Sequence, residues 1–228
     1  MTLVLVAHGT RAAAGAETTY ALADEVRELL PEVPVKVAFA DVRAPDVTTV
    51  LRSVRGSAVV VPAFLASGYH VRVDVPAQVE AAGRAGETVI TPALGPAPIL
   101  VAAMHERLTD AGWRPGDAVV LAAAGSSDHR ALSDVRRAAV LLGARTGTVV
   151  RIGYAATATP HIADVVAHAH ETADRVAVAS WLLAPGLFHR AVAGCGADMV
   201  GAPLGDHIRV AELIVRRYIE ARVYRAVA

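Results

Sequence analysis

Three residues that could carry metal or proton chemistry occupy comparable places in the first half of this 228-residue chain. His8, Asp41 and His70 each follow a short apolar run that has the character of a β-strand. Neutral imidazole nitrogens bind iron, cobalt, nickel or zinc, and a carboxylate can add a ligand or accept a proton. Two distant histidines are weak evidence by themselves, because each could be an ordinary hydrogen-bonded loop residue. Whether these residues form a site depends on the strands and helices that position them.

Continuous apolar runs alternate with amphipathic stretches along the whole chain, which predicts parallel sheets covered by helices on both faces. In such folds ligands bind beyond the carboxyl ends of the strands, so we expect His8, Asp41 and His70 on one rim. Helical spacing of apolar residues occurs at 16, 20, 23, 26 and 30, and again at 210, 213, 214 and 218. The predicted strands span residues 3–7, 35–39, 58–65, 88–91, 118–123, 148–154, 176–183 and 198–200.

The second half of the chain repeats the first. Residues 3–10 resemble 119–126, residues 64–70 resemble 183–189, and residues 92–96 resemble 202–206, in the same order. This pattern predicts an α/β protein of two similar doubly wound lobes, each with a parallel four-stranded sheet, related by internal duplication.

A segment rich in Gly and Pro, 111–117, places the predicted boundary between a lobe of residues 1–112 and a lobe of residues 113–228. The helix predicted near 97–110 is expected to close the first lobe.

The two copies differ at the candidate reactive positions. Ala124 stands where the first copy has His8, and Ala156 stands where it has Asp41. We therefore expect the active-site residues in the first lobe and a degenerate repeat in the second. His189 survives near the position of His70, and the simpler interpretation is a leftover partner of local backbone.

Composition excludes several classes of function. Lys plus Arg and Asp plus Glu both number 22 and no basic run occurs, so we expect no nucleic-acid partner. The single lysine, Lys36, is not in a Gly-Lys-Ser/Thr element, which excludes a Walker-type ATP site. The single cysteine, Cys195, excludes an internal disulfide and fits a reducing compartment. With no signal-peptide pattern and no run that spans a bilayer, we expect a soluble cytoplasmic protein without a membrane partner.

Three segments resemble the sirohydrochlorin chelatases, the ATP-independent class II enzymes that insert Fe²⁺ or Co²⁺ into a tetrapyrrole. They are residues 7–11 (Ala-His-Gly-Thr-Arg), residues 38–41 (Ala-Phe-Ala-Asp) with Pro45 downstream, and residues 68–76. The last contains Gly-x-His-x-x-x-Asp-x-Pro and is the most specific. The resemblance covers essentially the whole chain, including the duplication of the long form. Thr10 and Asp41 depart from it, because the family usually has serine and glutamate there.

The resemblance implies that His8 and His70 hold the metal and accept protons, with Asp41 assisting as ligand or base; it does not divide these roles. The implied reaction inserts Fe²⁺ or Co²⁺ into sirohydrochlorin with release of two protons, in siroheme or cobalamin biosynthesis. It needs no ATP and no cofactor beyond the substrate metal. The implied partners are a small tetrapyrrole and a divalent metal ion, and two fused lobes fit a monomer.

Arginines near these residues suit a substrate that carries many carboxylates, because guanidinium binds carboxylate in a bidentate fork. Arg11, Arg43 and Arg72 each lie within three residues of a candidate, and with Thr10 they form the candidate substrate-binding set. The alternative is that these arginines are ordinary exposed cations in a chain that has almost no lysine. Asp74 fits two roles equally well, as an acceptor that orients His70 or as a helix cap.

Three other classes of protein are alternatives to a chelatase. A metal or tetrapyrrole carrier without turnover would have much the same sequence. A phosphatase or mutase that uses His8 as nucleophile is disfavoured, because such sites usually have arginine where this chain has Ala7. A serine hydrolase needs Gly-x-Ser-x-Gly, which the sequence lacks.

Overall fold

The computed structural model describes residues 1–227, in which eight strands alternate with eight α-helices. The strands are β1 (Thr2–Ala7), β2 (Val35–Phe39), β3 (Ala58–Pro62), β4 (Thr88–Ile90), β5 (Ala118–Ala123), β6 (Arg151–Tyr154), β7 (Val176–Trp181) and β8 (Met199–Val200). The helices are α1 (Ala13–Leu29), α2 (Val47–Arg52), α3 (Val75–Ala81), α4 (Pro98–Asp110), α5 (His129–Thr146), α6 (Ile162–His170), α7 (Leu187–Ala193) and α8 (Ile208–Val227). A π-helical turn, His70–Asp74, runs directly into α3.

Each repeat forms its own parallel four-stranded sheet. The strand order is β2-β1-β3-β4 in the first sheet and β6-β5-β7-β8 in the second, and every pairing is parallel. The same order of corresponding strands in both sheets confirms the predicted pair of similar α/β lobes.

The core of the first lobe explains its unbroken apolar runs. In β1 the segment 3–6 is fully buried, because helices cover both faces of the sheet. On one face Val47 and Leu51 of α2 pack with Val75 and Val79 of α3. The other face is covered by α1 and by α8.

Strands end where their neighbours stop pairing, which explains the differences from the predicted bounds. The run at 58–65 forms a strand only to Pro62, because β1 pairs with β3 up to Val6 opposite Pro62. Likewise β6 begins at Arg151 and β7 ends at Trp181. The apolar residues beyond Pro62 belong to the loop that leads to His70.

The buried face of α1 also differs from prediction. Thr19 and Leu22 face the core, whereas Tyr20 is 41% exposed and Leu30 lies beyond the helix as its C-cap. The reason is that α1 lies against α8 and β2, so the buried face includes a threonine. The apolar positions predicted for α8, by contrast, are all fully buried.

The two compact units of the structure are not divided at the predicted boundary. One unit comprises Met1–Leu94 together with the chain from Asp206 onward, and the other is Gly95–Gly205. The helix expected to close the first lobe, α4, packs instead on β7 and α5 of the second, while α8 packs on β3 and α1 of the first. The spacing of apolar residues cannot reveal this exchange, because it shows that a helix covers a sheet but not which sheet.

No helix among residues 1–227 combines the length and the apolar character needed to cross a bilayer.

Candidate active site

The two candidate histidines meet at the carboxyl edge of the first sheet. His8 directly follows β1, and His70 begins the π-helical turn that follows β3. Their Nε2 atoms are 3.1 Å apart, and the two rings are nearly perpendicular at 78° with centroids 4.4 Å apart. His8 is exposed and His70 is partly buried, so the pair opens towards solvent from one side.

Hydrogen-bond partners indicate which nitrogen of each ring carries the proton. Nδ1 of His8 lies 3.1 Å from the Gly9 carbonyl, and Nδ1 of His70 lies 2.5 Å from Oδ2 of Asp74. A carbonyl and a carboxylate only accept, so each Nδ1 donates. Both Nε2 atoms are left with lone pairs that face each other. Two facing lone pairs repel each other, and a cation bound by both nitrogens would remove that repulsion.

The spacing of the two Nε2 atoms suits one metal ion. With metal–nitrogen bonds of about 2.0–2.1 Å, a separation of 3.1 Å corresponds to an N–metal–N angle of roughly 95–100°. That angle fits two neighbouring positions of an octahedral or a distorted tetrahedral site. The remaining coordination positions of the metal would be open to donor atoms of a second molecule.

Asp74 orients His70 and does not cap a helix. Its carboxylate contacts the imidazole across one turn, and the side chains of His70 and Asp74 are 35% and 29% exposed. The following helix, α3, has no side-chain cap, so the structure supports the orienting role among the two alternatives. This contact holds the Nε2 edge of His70 towards His8.

Asp41 is brought to the same rim by its backbone. Its amide donates to the His8 carbonyl at 2.9 Å, and Gly9 approaches the Asp41 carbonyl so closely that a Cβ there would overlap it. Gly9 has φ of +100°, which favours glycine. The Asp41 carboxylate, however, accepts from the Val42 amide at 2.7 Å.

Within residues 1–227, no three His, Cys, Asp or Glu side chains converge as a metal site. The expected set of two imidazoles and one carboxylate is therefore only partly assembled: the imidazoles are paired, and the Asp41 carboxylate stands apart from them.

Thr10 lies in the turn between β1 and α1. Its Oγ1 accepts from the Ala12 amide at 3.1 Å, whereas α1 begins at Ala13 without a side-chain cap. Thr10 therefore shapes the turn and does not cap α1.

The three candidate arginines differ in their surroundings. Arg43 donates from Nη1 to the Thr10 carbonyl at 3.2 Å and lies 6.0 Å from the Phe39 ring centroid. Arg72 donates from Nε to the Ser67 carbonyl at 3.2 Å, and Arg11 is exposed after the His-Gly-Thr turn. All three belong to segments that flank the histidine pair.

Aromatic residues beside the histidines were not singled out from the sequence. The Phe64 ring lies 6.3 Å from that of His70 at an interplanar angle of 27°, and 6.1 Å from that of His8. Tyr69 is 59% exposed, with its ring 6.4 Å from that of His70. Their signal in the sequence is that aromatic residues are scarce, at 4% of this chain, and that both lie in the segment leading to His70.

Gln78 was also missed. It lines a shallow depression of about 510 Å³ together with Asp41 and Asp74, and three alanines complete the lining. Its signal in the sequence is that this chain has no asparagine and no second glutamine.

The second lobe keeps the backbone of the site without its reactive side chains. Gly125 has φ of +97°, and the Ala156 amide donates to the Ala124 carbonyl at 2.9 Å, as Asp41 does to His8. Ser126 Oγ accepts from the Asp128 amide at 3.0 Å, as Thr10 does from Ala12. The repeat is degenerate in side chains and not in backbone.

His189 is the remnant of the pair in the second lobe. It lies in α7, and burial lowers its pKa below the ordinary value of 6.5. Ala193 follows it where Asp74 follows His70, so this imidazole lacks the matching carboxylate.

The CbiX family model matches residues 2–111 and 118–221, that is, both repeats and nearly the whole chain. The protein therefore belongs to the CbiX family, which confirms the resemblance found in the sequence. The two matched segments follow the repeats, whereas the compact units exchange α4 and α8. A comparison with curated proteins found no significant match.

Solved structures of similar fold include three from bacterial relatives. SirB from Bacillus subtilis with Fe³⁺ is 22% identical, with a TM-score of 0.81 over 96% of this chain and 94% of that one. SirB from Bacillus subtilis subspecies spizizenii in complex with cobalt is 20% identical, with a TM-score of 0.78 over 96% and 94%. CbiX, the terminal enzyme for siroheme biosynthesis in denitrifying bacteria, is 24% identical, with a TM-score of 0.76 over 97% and 99%.

Proposed function

We propose that this protein is a metal chelatase that inserts Fe²⁺ or Co²⁺ into sirohydrochlorin, in siroheme or cobalamin biosynthesis. The observation that carries the proposal is the His8–His70 pair, whose Nε2 atoms lie 3.1 Å apart. Membership of the CbiX family supports it. So does the likeness in fold to SirB structures with Fe³⁺ and with cobalt.

A pair of imidazoles suits a metal that must be handed over. Two nitrogen ligands at neighbouring positions hold a divalent cation while leaving other positions open to the macrocycle. A larger set of strong ligands would retain the ion. His8 and His70 are thus the proposed metal-holding residues.

The same nitrogens are the proposed proton acceptors. Once the cation has moved into the macrocycle, each Nε2 lone pair is free to accept a pyrrole proton. Two imidazolium rings with Nε2 atoms 3.1 Å apart would repel each other. The histidines would therefore accept the two pyrrole protons one after the other. Asp74 stabilises positive charge on His70, while the exposed His8 can pass its proton to water. Asp41 would act as an additional acceptor from the rim.

The proposed substrate contacts follow from the chemistry of the macrocycle. Arg11, Arg43 and Arg72 would bind its peripheral carboxylates, and Thr10 would hold the turn that carries His8. We propose no cofactor beyond the substrate metal and no ATP. We also propose a cytoplasmic monomer with neither a nucleic-acid nor a membrane partner.

The test is anaerobic mixing of the protein with sirohydrochlorin and either Fe²⁺ or Co²⁺, with insertion followed by absorbance above the uncatalysed rate. Wild type should turn over many times, and His8→Ala and His70→Ala should each lose at least about a hundredfold in kcat. His189→Ala, in the degenerate lobe, is the matched control and should retain turnover. Stoichiometric binding without turnover would replace the enzyme by a carrier of metal or tetrapyrrole.

A further inference from the structure

We propose that Gln78 is a positioning residue that ties the loop carrying Asp41 to the helical segment carrying His70 and Asp74. The inference rests on the proposed function for its effect on metal insertion. Gln78 lies in α3 one turn beyond Asp74, so it belongs to the same continuous segment as both residues.

Both ends of the Gln78 carboxamide are used. Nε2 donates to the Ala40 carbonyl at 2.8 Å, and Oε1 accepts from the Val47 amide at 3.2 Å. Ala40 immediately precedes Asp41, and Val47 begins α2, so the amide spans the two ends of the loop. A carboxamide donates from its nitrogen and accepts at its oxygen within one rigid plane, and it adds no charge.

The absence of charge matters at this place. Asp41 and Asp74 both line the depression in which Gln78 lies. A cation there would pair with these carboxylates and compete with His70 for Asp74. A neutral amide positions the loop and leaves both carboxylates available.

The second lobe is an internal control for the role of Gln78. It forms the same loop, in which Tyr154 bridges to His161 as Phe39 bridges to Asp46, and Thr157 adopts a positive φ as Val42 does. Yet α7 ends at Ala193, one turn after His189, and the chain holds no second carboxamide. The loop therefore folds without an amide, and the amide occurs only in the lobe that carries the reactive residues.

The experiment compares Gln78→Leu and Gln78→Glu with a matched control. Leucine removes both hydrogen bonds, and glutamate keeps an acceptor for Val47 while losing the donor to Ala40. Thr48→Val removes the bond from Thr48 Oγ1 to the Gln78 carbonyl at 3.1 Å. The control thus loosens α2 against α3 without touching the carboxamide.

In the metal-insertion assay, both Gln78 variants should lower kcat by roughly tenfold to a hundredfold with KM changed by less than about twofold. Thr48→Val should keep both values. Wild-type kcat in either Gln78 variant, or an equal loss in Thr48→Val, would overturn the proposal.

A second readout does not depend on turnover. In Gln78→Leu, the Asp41 and Val47 amides should exchange with deuterium at least about tenfold faster, while the Val6 amide within β1 should not. Unchanged exchange at both loop amides would overturn the coupling. If the wild type fails to insert metal but these amides lose protection, the proposed function fails and the coupling of Gln78 to the loop stands.

Discussion

The short contact between His70 and Asp74 determines what the imidazole can do. A carboxylate on Nδ1 fixes the ring, leaves Nε2 as a lone pair and stabilises the imidazolium that forms when Nε2 accepts a proton. Because the acceptor is a carboxylate, this hydrogen bond is charge-assisted and stronger than one between neutral groups. His189, with Ala193 in place of the carboxylate, lacks this support.

We expect Asp74→Asn to lower the activity or the metal affinity by about tenfold to a hundredfold, because the neutral amide no longer stabilises imidazolium. Metal insertion and Co²⁺ titration would be measured on the same preparations. Asp46→Asn is a suitable control, since Asp46 caps α2 and asparagine caps a helix equally well. Equal activity in the two variants would show that Asp74 has no part in the reaction.

The lowered pKa of His189 makes a prediction about stability. Because burial disfavours its charged form in the fold, the unfolded chain binds more protons as the pH falls below 6.5. The contribution of His189 to the free energy of unfolding is therefore most favourable above this pH and declines below it. Thermal unfolding at pH 5.0 and 7.5 should show a smaller difference in Tm for His189→Leu than for wild type. An unchanged difference would mean that His189 does not contribute to this dependence.

At the scale of elements, the turn after β1 has no room for a side chain at Gly9, because the backbone there lies close to the Asp41 carbonyl. Gly9→Ala adds both a positive-φ penalty of about 1–3 kcal/mol and an overlap with backbone. We expect it to destabilise the protein by more than Gly83→Ala, whose φ is +69° with open space around it. Urea unfolding would measure both, and equal losses would show that the overlap relaxes freely.

Elements were predictable from sequence to different degrees. The runs at 35–39 and 118–123 were predicted with their observed bounds, because buried parallel strands are continuous in apolar residues. The π-helical turn at His70–Asp74 was not predicted, since its geometry leaves no periodic pattern in five residues. The proximity of His8 and His70 was predictable, because both residues follow strands of the same sheet. The role of Gln78 was not predictable, because it depends on hydrogen bonds to backbone atoms that no sequence motif indicates.

At the scale of the whole molecule, the exchange of α4 and α8 decides which fragments can fold. A fragment of residues 1–112 contains a complete repeat but lacks α8. That helix contributes Val210, Leu213, Ile214 and Tyr218 to the core, and each large apolar side chain stabilises by about 1.5–3 kcal/mol.

We therefore expect the 1–112 fragment to be unfolded or aggregated by circular dichroism and gel filtration. A fragment of residues 1–94 linked to 206–228 should fold, because it restores the compact unit. A folded, monomeric 1–112 fragment would show that the exchanged helix is dispensable.

The exchange also bears on synthesis. The unit Gly95–Gly205 is contiguous in sequence, and it separates the two parts of the unit that carries His8 and His70. Those two parts are therefore made before and after the whole of the other unit. Since domains fold as units during translation, the degenerate lobe can complete its core first, and the half that carries the chemistry cannot complete its core until α8 has been made.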